Sequence, residues 1–282
     1  MNINDPDITL KPSPRKGTMP AMFLGHGSPM NAIDDNEFTD AWRSIGKTIP
    51  KPVAILCISA HWETRGTFVT MMENPVTLHD FGGFPKELYE IRYPAPGCPE
   101  LANEIKTGIG RTIVDFSEKG GFDHGCWSVI RHLYPAADIP VVQMSLDFGQ
   151  LPAFHYELGR ELSFLRQKEV LIIGSCNMVH NLQLLDWNRL DTSESGYDWA
   201  REANEKLKNS ILNNDLPVLL DYKLQGKAIH LSIPTPDHYL PLLYVLALKE
   251  DREKRTFFND KIVAGSLSMT SFMIGSEVNS AV

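Results

Sequence analysis

Short, continuously apolar runs alternate along this chain with longer segments whose apolar positions recur every three or four residues. "PAMFLG" (20–25) is followed by "NEFTDAWRSIGKTI" (36–49) and "VAILCISA" (53–60). Downstream, "IPVVQMSLD" (139–147), "LPAFHYELGRELSFLRQK" (151–168) and "EVLIIGSCN" (169–177) repeat the order. Continuous apolar runs of this length are strands buried on both faces, and the amphipathic segments between them are crossover helices. Further on come a helix-like "YDWAREANEKLKNSIL" (197–212), the apolar "DHYLPLLYVLALKE" (237–250), and a closing pair of strands, "RTFFND" (255–260) and "IVAGSLSMTSFMIG" (262–275). The pattern predicts a single three-layer α/β domain over residues 19–282, with a mostly parallel or mixed central sheet flanked by helices. Residues 1–18 lack apolar periodicity and carry three prolines, so they read as a flexible tail without the apolar core of a signal peptide.

Composition narrows the function classes. A hydrophobic content of 43% over 282 residues supports a sizeable core. The longest apolar stretch, "YLPLLYVLALK", is well short of the ~20 residues of a membrane span. A net charge of -8 without a Lys/Arg cluster argues against nucleic acid and anionic lipid as partners and favours small-molecule chemistry. The four cysteines (Cys57, Cys98, Cys126, Cys176) form no C-x-x-C pair, which suits free thiols in a reducing cytoplasm. Any metal must then be held by histidine and carboxylate.

In doubly wound folds, ligands collect at the carboxyl ends of the strands. His26 lies between Gly25 and Gly27 at the end of the first apolar run, His61 follows the second, and His180 follows "EVLIIGSCNMV". Three imidazoles should therefore reach one sheet edge. His238, after the two prolines of "IPTPDH", should face the same rim from a helix start. The spacings of 35 residues (His26 to His61) and 119 (His61 to His180) match no local metal motif, so the site must be assembled from separate strands. Neutral imidazoles with water or carboxylate suit zinc or non-haem iron, and open positions on Fe(II) permit catechol and oxygen chemistry. His124, in "GFDHGCWSVI", stands before a helix that Asp123 is placed to cap. His79 lies in the glycine-rich "LHDFGGFP", a loop able to fold over a pocket. His132, His155 and His230 sit inside regular elements and read as structural.

"GHGSPM", "SAHWETRGTFVT", "HDFGGFPKELYEIRYPAPG", "GFDHGCWSVI", "NMVHNL" and "IPTPDHYLPLLY" together resemble the 4,5-DOPA extradiol dioxygenase family of the class III, LigB-type ring-cleaving enzymes, from about Met19 to "GSLSM". The resemblance implies metal ligation by His26, His61 and His238, the last standing where the wider LigB group has glutamate. It implies a catalytic base at His180, close enough to join the metal as well, and contact of His124 with bound oxygen and substrate. His79 and Tyr239 are expected to line the substrate site. The cofactor would be one ion per chain, Fe(II) for catalysis or Zn(II) as bound metal. The partners would be a catechol such as L-DOPA and O2, in a monomer or small homo-oligomer, with cleavage to a muconic semialdehyde. Cys176 departs from the glycine common at its position, which bears on pocket width. A zinc-dependent hydrolase and a non-catalytic zinc-binding protein are the alternatives on the same residues.

Overall fold

A computed structural model describes residues 18–189 and 195–275 of the chain. The expected tail, apart from Thr18, lies outside the described residues. The main strands are β1 (Ala21–Gly25), β2 (Ala54–Thr64), β3 (Thr67–Thr70), β4 (Val114–Ser117), β5 (Val141–Asp147), β6 (Val170–Cys176), β7 (Lys254–Phe258) and β8 (Ser271–Gly275). The longer helices are α1 (Glu37–Thr48), α2 (Pro99–Gly108), α3 (His124–Leu133), α4 (Pro152–Glu161), α5 (Asp198–Leu212) and α6 (Leu240–Ala247). The eight strands form one mixed sheet in the order β4-β3-β5-β2-β6-β1-β8-β7. Its centre, β5-β2-β6-β1, is parallel, and β8 and β7 close one edge antiparallel.

The apolar runs become strands because both of their faces are covered. Phe23, Leu56, Ile58, Val142 and Ile172 point into one core beneath α2, α4, α5 and α6. Met22, Leu24, Ile55, Cys57, Leu171 and Ile173 alternate with them into a second core beneath α1 and α3. This period-two division between two apolar layers defines the three-layer α/β architecture. α1 begins as its sequence indicates, with the Asn36 side chain accepting from the backbone N–H of Phe38 and Thr39. No helix among the described residues is long and apolar enough to cross a membrane.

Two expectations need correction. "LPAFHYELGRELSFLRQK" is an α-helix only to Glu161 and tightens into a 3₁₀ segment over Leu162–Lys168. "IVAGSLSMTSFMIG" contributes only Ser271–Gly275 to the main sheet. Its first half folds into a separate hairpin, Ile262–Val263 against Leu267–Ser268, because Ala264 (φ 49°) and Gly265 (φ 78°) take the left-handed conformation that reverses the chain. That hairpin matters for the site, since Leu267 bridges to His180.

The floor of the sheet is tied down by a fully buried Arg166. Its Nε donates to the Met19 carbonyl at 2.7 Å, and its Nη1 donates to Glu253 at 2.9 Å and to the Leu248 carbonyl at 2.5 Å. Arg166→Met leaves a buried carboxylate and two carbonyls without their donor. It is expected to lower unfolding stability by about 3–5 kcal/mol, measured as a fall in the urea midpoint with an unchanged m-value.

Candidate metal centre and active site

Three of the expected histidines are carried by three adjacent parallel strands or the residues just beyond them. β1, β6 and β2 are neighbours in register, pairing Gly25 with Cys176 and Ser59 with Ser175. Beyond those pairs the ladder opens. His26 follows β1 directly, with its N–H donating to the Cys176 carbonyl at 3.2 Å. His61 lies within β2 rather than after it, because β2 runs on to Thr64 through a bulge: its pairing with β5 jumps from Ile58–Met144 to Glu63–Leu146. Residues Ser59 to Trp62 thus face the single Ser145, and the surplus backbone carries His61 out of the ladder. The glycines around His26 serve two different purposes. Gly27 turns at φ 67°, and a Cβ on Gly25 would sit 2.7 Å from the Met269 backbone.

His124 is the first residue of α3, and Asp123 caps the helix by accepting from the Cys126 N–H at 2.9 Å. The next residue must be glycine for the rings to close up, since a Cβ on Gly125 would lie 2.5 Å from Ser59 Oγ and 2.9 Å from His61 Cδ2. His26, His61 and His124 present ligand nitrogens that all lie within 4.8 Å of one another. His238 joins through His61: His26 Nε2 is 3.2 Å from His61 Nε2, and His238 Nε2 is 3.3 Å from it.

The proton positions follow from the partners. Ser175 donates its hydroxyl hydrogen to the Gly125 carbonyl at 2.5 Å, so it accepts from His26 Nδ1–H at 3.1 Å. A carboxylate only accepts, so His124 Nδ1–H donates to Asp80 Oδ2 at 3.0 Å, and His238 Nδ1–H donates to Asp237. With the proton of each neutral ring on Nδ1, the Nε2 atoms of His26, His124 and His238 carry bare lone pairs. Ligands about 2.1 Å from a common ion, at angles of ~100–110°, lie about 3.2–3.4 Å apart, and the two Nε2 separations match. Outward Nδ1–H bonds to carboxylate or hydroxyl are also how metal-binding imidazoles are oriented. The residues present therefore fit a divalent ion.

His180 stands outside the mutually close triple. Its ring stacks on His238 with centroids 3.5 Å apart and planes inclined by 2°, and its backbone N–H donates to the Ser232 carbonyl at 2.8 Å. Burial, then the neighbouring His238, pushes its pKa down to about 3. Burial also holds His26 and His61 well below the ordinary imidazole range. The electrostatics therefore keep these rings neutral, with lone pairs free.

Of the two substrate-lining expectations, the structure corrects Tyr239. Tyr239 is fully buried in the core, and its hydroxyl donates to the Leu219 carbonyl at 2.9 Å, so it is a packing residue beneath His238. His79 donates from Nε2 to the Ile91 carbonyl at 3.1 Å and touches Phe81, which packs edge-on against His124 at 5.5 Å. It belongs to an aromatic wall with Tyr89 and Trp127. The Cys176 side chain is fully buried in the core. Structural readings suit His132, which donates to the Asn31 carbonyl at 2.7 Å, and the fully buried His155, paired with Tyr244 at 3.1 Å. His230 contacts the Lys223 carbonyl. The sequence pattern does not single out Asp80, Ser175 or Asp237; the adjacent "DH" of Asp237 and His238 is the one local signal, and it points to Asp237 alone.

Residues 20–217 match the model of the catalytic LigB subunit of aromatic ring-opening dioxygenase. The chain belongs to this LigB-type extradiol dioxygenase family. It is 47% identical to 4,5-DOPA dioxygenase extradiol of Escherichia coli (strain K12), over 91% of this chain and 95% of that protein. The Beta vulgaris 4,5-DOPA dioxygenase extradiol is 35% identical, over 89% of this chain and 94% of the other. The crystal structure of an uncharacterized Escherichia coli K12 protein superposes with a TM-score of 0.79 at 42% identity, covering 91% of this chain and all of that one (100%). The chain is thus an oxidoreductase of a metal-binding dioxygenase family.

Neutral burial of histidines makes the metal-free protein acid-sensitive. The unfolded chain takes up protons near the ordinary histidine pKa of ~6.5, whereas folded His155 and His180 titrate only at about 4 and about 3. Because the unfolded state binds more protons in that window, stability falls as pH drops, by up to about 1.4 kcal/mol per pH unit for each such histidine. Chemical denaturation of metal-free protein at pH 7 and pH 5 is expected to show this loss, and His155→Gln should make it shallower.

Proposed function

We propose that the chain is an extradiol dioxygenase for a catechol such as L-DOPA, working through one divalent ion held by His26, His61 and His238, with Fe(II) as the catalytic metal. Residues 19–282 act as a single catalytic unit. The observation that supports the reading most directly is the convergence of His26 and His238 Nε2 on His61 Nε2 at 3.2 and 3.3 Å, with His26 and His238 each protonated on the outward side. A redox-active ion there supplies the one-electron chemistry that O2 needs to react with an aromatic ring.

The chain's own residues supply orientation and proton handling. Neutral His180, stacked flat on His238, offers a lone pair to a phenolic hydroxyl presented beside the cluster. His124 faces the same space with its ring fixed by Asp80, placed to contact oxygen and substrate. Phe81, edge-on to His124, offers an apolar surface to the catechol ring. Fixed placement of two reactants is worth several kcal/mol of barrier, and the rigid strand ends provide it.

Oxygen uptake by protein reloaded anaerobically with Fe(II) tests this reading. L-DOPA or a simpler catechol should give stoichiometric O2 loss with a yellow semialdehyde, absent from zinc-loaded protein. No uptake with confirmed iron would move zinc hydrolysis or plain zinc binding to the front. His180→Ala should keep metal content and lose turnover by about 10²–10⁴-fold, whereas His61→Ala should lose the metal. Equal metal content in the two variants would refute this division of roles.

A further inference from the structure

We propose that Asp80 is a positioning residue of the site: it fixes the proton of His124 on Nδ1, so that Nε2 is the nitrogen offered to the histidine cluster. The inference rests on the reading of the cluster as the working centre. Asp80 uses its two oxygens differently. Oδ1 accepts the His124 backbone N–H at 2.8 Å, and Oδ2 accepts Nδ1–H of the same residue at 3.0 Å. Oδ2 is also 4.0 Å from Nδ1 of His61, so one carboxylate faces two rings of the triple.

Helix capping alone does not account for this arrangement. Asp123 already occupies the capping position of α3 and accepts from the Cys126 N–H. The backbone bond from His124 needs only one carboxylate oxygen, and the second is spent on the ring. Asp80 is moreover 44 residues distant in sequence. Its loop is pinned independently: Trp127 Nε1 donates to the Leu78 carbonyl at 2.7 Å, and the Leu78 N–H donates to the Phe122 carbonyl at 2.8 Å. Burial would raise the Asp80 carboxyl, but the bonds from His124 outweigh it and hold it below its usual range, so it remains an acceptor. Through its neighbour Phe81, the same loop sets the apolar wall against His124.

Asp80→Asn separates the two bonds. The backbone N–H cannot change its role, so the single amide oxygen turns to it and the NH₂ group faces Nδ1. Nδ1 must then accept, and the proton moves to Nε2. Imidazole ¹⁵N spectra of metal-free, histidine-labelled protein report this directly, with the His124 signals assigned by their loss in His124→Gln. The wild type should show Nδ1–H at His124, Asp80→Asn should show Nε2–H, and Asp80→Glu, which retains two acceptors, should restore the wild-type pattern. Zinc titration should show affinity about 10-fold weaker in Asp80→Asn, because an Nε2–H on His124 would aim a hydrogen at an ion held by His26, His61 and His238. In iron-loaded protein kcat should fall more than KM rises. If Asp80→Asn does not fold, Asp80→Ser, which can still accept the backbone N–H, carries the same tautomer and zinc measurements. An unchanged tautomer with wild-type zinc affinity in the folded variant would overturn the proposal. Spectra and zinc titration use no substrate, so failure of the oxygen assay would refute the dioxygenase reading and leave this result standing.

Discussion

The gathering of His26 and His238 around His61, with their Nε2 atoms 3.2 and 3.3 Å from His61 Nε2 inside the protein, is the constraint on which the rest of the site depends. The lone pairs that His26 and His238 turn inward form a donor set suited to a shared cation. It holds its shape because each outward Nδ1–H has a separate acceptor: Ser175 on β6 for His26, Asp80 on a distant loop for His124, and Asp237 for His238. Protonating the inward nitrogens would place like charges side by side, so the site must stay neutral. Burial keeps His26, His61 and His180 in that state.

The sheet is the frame that makes this convergence possible. Because β1, β6 and β2 are adjacent and parallel, their chain ends emerge together, and the bulge in β2 releases His61 where the ladder to β6 stops. Beneath the rings, Ser59 Oγ donates to Asp123 at 2.7 Å, the Cys126 N–H donates to the same oxygen at 2.9 Å, and Gln143 Nε2 donates to the other oxygen. These bonds join β2, α3 and β5. Burial, with Asp80 second, pushes the Asp123 carboxyl up to about 6. A buried carboxylate held by neutral donors is a costly way to fix a helix start, and here it fixes the element that carries His124.

His124 is where family resemblance and geometry meet most closely. The family pattern places it against oxygen and substrate, and the structure sets it in the mutually close triple with His26 and His61. The two statements are compatible because a ring locked with Nε2 inward and backed by Phe81 faces whatever occupies the centre of the cluster. His180 stacks on His238 and lies outside that triple.

The sequence by itself determined the three-layer class, the central strands, and the arrival of His26, His61 and His180 at one sheet edge. Strand burial and strand ends are written locally in apolar runs and glycines, so these features were legible without the fold. The prolines before His238 pointed it to the same rim, and the family motifs added roles for His124 and His238. Only tertiary structure decided that Tyr239 turns its hydroxyl into the core, that His79 packs in an aromatic wall, and that Cys176 lies beneath α6. A side chain's direction depends on which helix covers it, and no local pattern encodes that. Asp80, Ser175 and Asp237 were illegible as ring anchors for a related reason. A hydrogen bond across 44 or 149 residues exists only once the sheet has brought its ends together, and even Asp237, next to His238, gains its meaning from the ring that His238 faces on its other side.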